Sequence, residues 1–256
     1  MKPNKKPSFI FPFTLLIVVV FFAEPLWAQG KYDQGVSKPL MMMVAFGALS
    51  LLPIIIIMMT SFVKISVVLA LIRNALGTQQ IPPNQVITGL SLILTVYIMT
   101  PVFIDVYHSA ESVIQQNSNE GFMSQATLAL AQEAVKKGQE PFRAFISKFA
   151  HEKERSLFYN LARKMRRSED RESVQNSDFL VLIPAFVVSE LSRAFQIGFI
   201  VFLPFLVIDM VVANILLSLG MFQLSPVTVS LPFKLLLFVL VDGWFLIAKG
   251  LVMGYI

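Results

Sequence analysis

Long apolar runs set the plan of this chain, and short polar turns separate most of them. The first run extends from Leu40 to Ile72, uncharged as far as Lys64 and closed by Arg73. After Gly77-Thr78-Gln79-Gln80-Ile81-Pro82-Pro83-Asn84, a second covers Val86 to Val106. A third runs from Phe179 to Leu224 and a fourth from Val227 to Val252. A membrane span takes roughly 20 apolar residues. The second and fourth runs are one span long, and the third is about twice that. The pattern predicts an all-α membrane protein built from two long helical hairpins, 40–106 and 179–256, with four spans. Pro53, Pro101 and Pro204 lie inside the runs. Proline removes a backbone donor and clashes with the preceding turn, so these positions predict kinks and, at Pro204, a break. Gly77, Pro82 and Pro83 mark the tip of the first hairpin, and Gly220 and Pro226 that of the second. The hairpins share this outline, but their sequences match too weakly to be called a repeat.

The stretch between the hairpins differs in kind. Residues 105–178 carry 11 basic and 11 acidic side chains and lack long apolar runs. Helical spacing recurs in Gly121–Gly138, from Pro141 onward, and in Ser156–Arg167; Phe142, Phe145, Ile146 and Phe149 share one face. A small helical domain over 107–178 is predicted, on the outer side of the membrane. At the other extreme, residues 1–28 order Lys2, Lys5 and Lys6, then the apolar Phe9–Ala23, then Leu26-Trp27-Ala28. This is the arrangement of a cleavable signal peptide, cut between Ala28 and Gln29; the alternative is an uncleaved first transmembrane helix. A cleaved leader puts residue 29 outside and both hairpin tips on the cytoplasmic side.

Composition narrows the function. Of 256 residues, 55% are hydrophobic and 14% charged, a membrane balance. There is no cysteine, which excludes disulfides and thiol chemistry, and the two histidines lie outside the apolar runs. No metal site or cofactor is expected from such a set. The net charge of +5 includes +2 from the leader, so nucleic acid is not an expected partner. No HExxH, phosphate-binding GxxxxGK or nucleophile–histidine pair occurs, and no catalytic residue is assigned. The basic run Arg163-Lys164-Met165-Arg166-Arg167 reads as a solvated face, with phospholipid headgroups as the alternative partner.

The hairpins nevertheless carry charge. Glu190, Arg193 and Asp209 stand before the second tip, and Lys234, Asp242 and Lys249 after it. Ionisable groups at membrane depth are costly and face a protein interior or a water path. A simple lipid-facing anchor would not need them. Folding the hairpin about Leu224 sets Lys234 close to Asp209 and Glu190 opposite the end of the chain. Glu190 must then pair with Arg193 or with another subunit. Four spans rarely enclose a path alone, so an oligomer with charges satisfied between chains is expected.

Phe62-Val63-Lys64-Ile65, Leu71-Ile72-Arg73-Asn74-Ala75-Leu76-Gly77, Pro184-Ala185-Phe186-Val187-Val188-Ser189-Glu190, Ala194-Phe195-Gln196-Ile197-Gly198-Phe199, Leu203-Pro204-Phe205, Ser230-Leu231-Pro232-Phe233-Lys234-Leu235 and Asp242-Gly243-Trp244 together resemble the FliP/SctR family. The resemblance covers 40–106 and 179–254 and implies a core pore-forming subunit of the type III secretion export gate in the bacterial inner membrane. It implies a homo-oligomer, a pentamer, assembled with FliQ/SctS-like and FliR/SctT-like subunits and an FlhA/SctV-like export component, embedded in inner-membrane lipids. Unfolded secreted proteins would pass through its channel. The resemblance also favours a Glu190–Lys234 pair between subunits. The family's tip carries consecutive methionines that close the channel; here the matching residues are Met221-Phe222-Gln223-Leu224, an apolar constriction with one polar member. Ser225-Pro226 and Gln79-Gln80 lean toward the injectisome branch over the flagellar one. The competing reading is an assembly scaffold whose partners form the channel.

Overall fold

The computed structural model describes residues 38–78, 81–115 and 125–256; the leader with its Ala28–Gln29 junction, and Gln79-Gln80, lie outside the described residues. All regular structure among the described residues is helical. The elements are α1 (Lys38–Met58), α2 (Phe62–Ala75), α3 (Asn84–Gln115), α4 (Gln125–Phe149), α5 (Glu152–Met165), a short 3-10 helix (Ser168–Ser173), α6 (Phe179–Ser218), α7 (Pro226–Leu240) and α8 (Gly243–Met253).

They form two compact units. One joins the described residues up to Ile56 with Val102–Ala144, and the other joins Ile57–Pro101 with Phe145–Ile256. The expected 107–178 segment is therefore divided between the two. Within the first unit, Phe103 meets Phe142 edge-on at 5.9 Å. Gly138 lies against Val106, which is buried.

The second unit is organised around α6. At 1.5 Å per residue its 40 residues extend about 60 Å, twice the apolar thickness of a bilayer. Pro184 and Pro204 both lie inside it without ending it. The break expected at Pro204 does not occur, because an apolar helix tolerates proline where neighbouring groups take up the freed carbonyl. Helix α2 runs parallel to α6: Lys64 faces Glu190, and about two turns further along both helices Leu71 faces Gly198. Gly198 sets this approach, since a Cβ there would lie 2.3 Å from the Leu71 side chain. Small residues bring membrane helices together in this way. Helix α5 starts beside Ser189, whose Oγ accepts from the His151 backbone N–H at 2.9 Å, and the chain returns from it to the start of α6.

Two other breaks were not expected from the apolar runs. The first run is divided at Met59-Thr60-Ser61, past Pro53, which stays inside α1. Thr60 Oγ1 donates to the Ile57 carbonyl at 2.9 Å and accepts from the Phe62 N–H at 3.4 Å, diverting the backbone from the helical ladder. The fourth run is not one helix but α7 and α8, bent by 61°. Asp242 takes a left-handed conformation (φ 52°), and Gly243 packs where a Cβ would lie 2.3 Å from the Phe238 ring. Likewise Pro141 lies inside α4 and starts no new helix. Among the described residues, Asn84–Ser109 and Phe179–Ser218 are long and apolar enough to cross a membrane, and α7 with α8 only as a bent pair.

Candidate functional site

Two buried charge clusters and one exposed turn stand out in the second unit. The first cluster centres on Glu190, fully buried in α6. Arg193, one turn on, holds its Oε1 at 2.8 Å. Lys64 from α2 approaches Oε2 at 3.3 Å and is itself 2% exposed. The Tyr255 hydroxyl donates to the same Oε2. Arg193 also donates to the Phe149 carbonyl at 2.9 Å. Lys64 Nζ lies 3.5 Å from the centre of the Tyr255 ring, which meets Phe149 edge-on at 4.8 Å. A buried carboxylate is tolerated only when its lone pairs are taken up in this way. The adjoining Ser189 donates to the Ala185 carbonyl at 2.7 Å.

The second cluster lies nearer the tip. Lys234 Nζ is 2.6 Å from Asp209 Oδ2, and Ser230 donates to Oδ1 of the same carboxylate. Lys234 also reaches the Ala75 carbonyl at 3.5 Å. Gly77 (φ 77°) lies alongside: a Cβ there would be 3.7 Å from Lys234 Nζ and 3.7 Å from Val227. The first hairpin's turn thus sits against the start of α7. It is held by Arg73, which donates to Asn84 Oδ1 at 2.5 Å and to the Pro82 carbonyl at 3.4 Å. Pro83 follows, and its carbonyl accepts from the Val86 and Ile87 N–H groups at the start of α3.

Helix α6 ends in a double-bonded glycine cap. Met221 N–H bonds the Leu216 carbonyl at 2.9 Å and Gly220 N–H bonds that of Leu217 at 3.1 Å, with Gly220 at φ 73°. Ser225 and Pro226 then open α7, with proline in the first turn where its missing donor is not needed. Between them Met221, Phe222, Gln223 and Leu224 are all exposed, Phe222 to 77%. Asn214 and Ser218, one turn apart on α6, are exposed too, while Met221, which helical spacing would put on their face, lies past the Gly220 cap and outside the helix.

Pairing across the tip brings Lys234 to Asp209, and helical spacing brings Arg193 to Glu190. Within this chain Glu190 takes Lys64 as its second cation, and Lys234 is occupied by Asp209. Lys64 and Tyr255 are the residues that reading the sequence did not assign. Each had a signal: Lys64 is a lone charge in an apolar run, and Tyr255 lies where Glu190 faces the end of the chain. None of these groups forms a metal site among the described residues.

The FliP family profile matches residues 45–251, which includes both clusters and the tip. The chain is 42% identical over 214 residues to Yop proteins translocation protein R of Yersinia pestis, covering 84% of this chain and 95% of that one. It is 43% identical over 222 residues to flagellar biosynthetic protein FliP of Bacillus subtilis, covering 87% and 94%. It is 42% identical over 219 residues to virulence protein YscR of Salmonella typhimurium, covering 86% and 98%. Identity does not separate the flagellar from the virulence-associated relatives. A profile match across most of the chain, with relatives matched over nearly their whole length, places this chain in the FliP family, membrane components of the flagellar and type III secretion export apparatus.

Proposed function

We propose that copies of this chain form the pore of a type III secretion export gate and conduct unfolded proteins across the bacterial inner membrane. The observation that carries this reading is the tip. The Gly220 cap and the Ser225-Pro226 start leave Met221, Phe222, Gln223 and Leu224 exposed. Immediately behind it, the Asp209–Lys234–Ser230 cluster and the Gly77 turn stiffen the base. A rigid base with an adaptable apolar rim suits a constriction. A ring of Met and Phe opposes ions by dewetting and yields to a passing chain, since both side chains repack readily.

The remaining assignments follow from this reading. Several copies, a pentamer, assemble with FliQ/SctS-like, FliR/SctT-like and FlhA/SctV-like components. Residues 107–178 lie outside the cytoplasm, and residues 1–28 are removed as a signal peptide. The Ser225-Pro226 tip favours an injectisome.

Because the chain lacks cysteine, a single one can be introduced at Met221 or Phe222. In the assembled apparatus carrying a stalled substrate, cysteine or photo-crosslinker at these positions should join the substrate. Crosslinks from partner subunits alone, with this chain assembled but silent at 221–224, would replace the pore reading by that of an assembly scaffold.

A further inference from the structure

We propose that the cleft between α5 and the following 3-10 helix binds a phosphate group, and that an anionic phospholipid headgroup supplies it. Asn160, Arg163, Lys164 and Arg171 line an open cleft of about 250 Å³. The first three lie at i, i+3 and i+4 on one face of α5, and Arg171 comes across from the 3-10 helix.

Among the described residues, no carboxylate takes up their charges. Lys137, Arg143 and Arg155 each hold a carboxylate three or four residues away on their own helix. Arg163, Lys164, Arg166, Arg167 and Arg171 hold none, although Glu169, Asp170 and Glu172 lie in the same stretch. Instead the cleft is braced from behind. Arg171 Nε donates to the Arg166 carbonyl at 3.3 Å, and Arg166 donates to Ser173 Oγ at 2.9 Å. The Arg163 guanidinium stands 5.6 Å from the centre of the Tyr159 ring. Two guanidiniums, an ammonium and an amide around one opening offer the fork geometry and donor count that a phosphate takes.

The neighbouring face of α5 favours a lipid as the source. Leu157, Leu161 and Met165 follow at i, i+4 and i+8 and are 52%, 42% and 86% exposed. By helical spacing Leu157 and Leu161 each lie one turn (i, i+3) before a cleft residue, Asn160 and Lys164, on a helix that buries none of its residues. A soluble phosphate has no use for an apolar border, whereas a lipid presents acyl chains beside its headgroup.

The test uses the full-length protein in detergent. Native mass spectrometry counts retained phosphatidylglycerol against phosphatidylcholine, and ³¹P NMR line broadening follows inorganic phosphate. Compared with the parent, Arg163→Gln/Lys164→Gln/Arg171→Gln should weaken phosphatidylglycerol retention about a hundredfold, from the usual contribution of each basic residue at an anionic surface. The charge-matched Lys136→Gln/Lys137→Gln/Lys153→Gln should retain it. Broadening of inorganic phosphate by the parent but not the cleft variant, without phosphatidylglycerol preference, keeps the phosphate site and overturns the lipid source. Equal retention in the parent and the cleft variant, or equal loss in both triple variants, overturns the site.

Discussion

Removing the Glu190 carboxylate tests the first buried cluster most directly. Glu190→Gln keeps the shape and leaves Lys64 and Arg193 without their counter-ion. The two cations are not equally placed. Arg193 is 27% exposed in its side chain and keeps the Phe149 carbonyl, so it can turn toward solvent. Lys64 is 3% exposed in its side chain and keeps the Tyr255 and Phe149 rings, neither of which carries a counter-charge. At 3.3 Å the Lys64–Glu190 attraction is about 5 kcal/mol for an effective dielectric of about 20. Stranding one member of a buried pair costs roughly 3–5 kcal/mol. Glu190→Gln should therefore destabilise by about that amount. Lys64→Met should cost less, because Glu190 retains Arg193 and Tyr255. The double variant Glu190→Gln/Lys64→Met should regain about 1–3 kcal/mol relative to the sum of the singles, the coupling expected of residues in contact. Denaturant unfolding of the purified protein in detergent, followed by pulse proteolysis, gives all four corners of this cycle. Strict additivity of the two changes would refute the pairing and leave Lys64 as a snorkelling lysine.

Gly198→Leu should drive α2 from α6, costing about 1–3 kcal/mol as other overpacking does, and Leu71→Ala should restore much of it, read by the same unfolding assay; no rescue would place the contact elsewhere. Met221→Ala/Phe222→Ala should raise ion leak or small-dye entry in an assembly of unchanged composition, while leak equal to the parent's would move closure to another element. A cysteine at Ser118 should react with a membrane-impermeant thiol reagent in intact spheroplasts, and labelling only after lysis would reverse the orientation. Intact mass of the membrane-purified protein should start the mature chain near Gln29; a mass that includes residues 1–28 would show an uncleaved helix.

The helical class, the apolar runs and the two glycine-proline tips were legible in the sequence because they depend on local quantities. Run length, glycine at positive φ and proline in a first helical turn each act within a few residues. Contacts fixed by a single turn or by folding back about one tip were legible for the same reason, as with Arg193 beside Glu190 and Lys234 beside Asp209. Helix breaks were not. Hydrophobicity measures how much surface wants burial and is blind to whether the ladder continues, so Pro204 passes without interruption while Thr60 and Asp242 end helices inside apolar runs. Tertiary structure alone decided the partners of Glu190. Lys64 and Tyr255 come from opposite ends of the second unit, and they meet only because Gly198 lets α2 lie against α6 and the bend at Asp242-Gly243 redirects α8 toward Glu190.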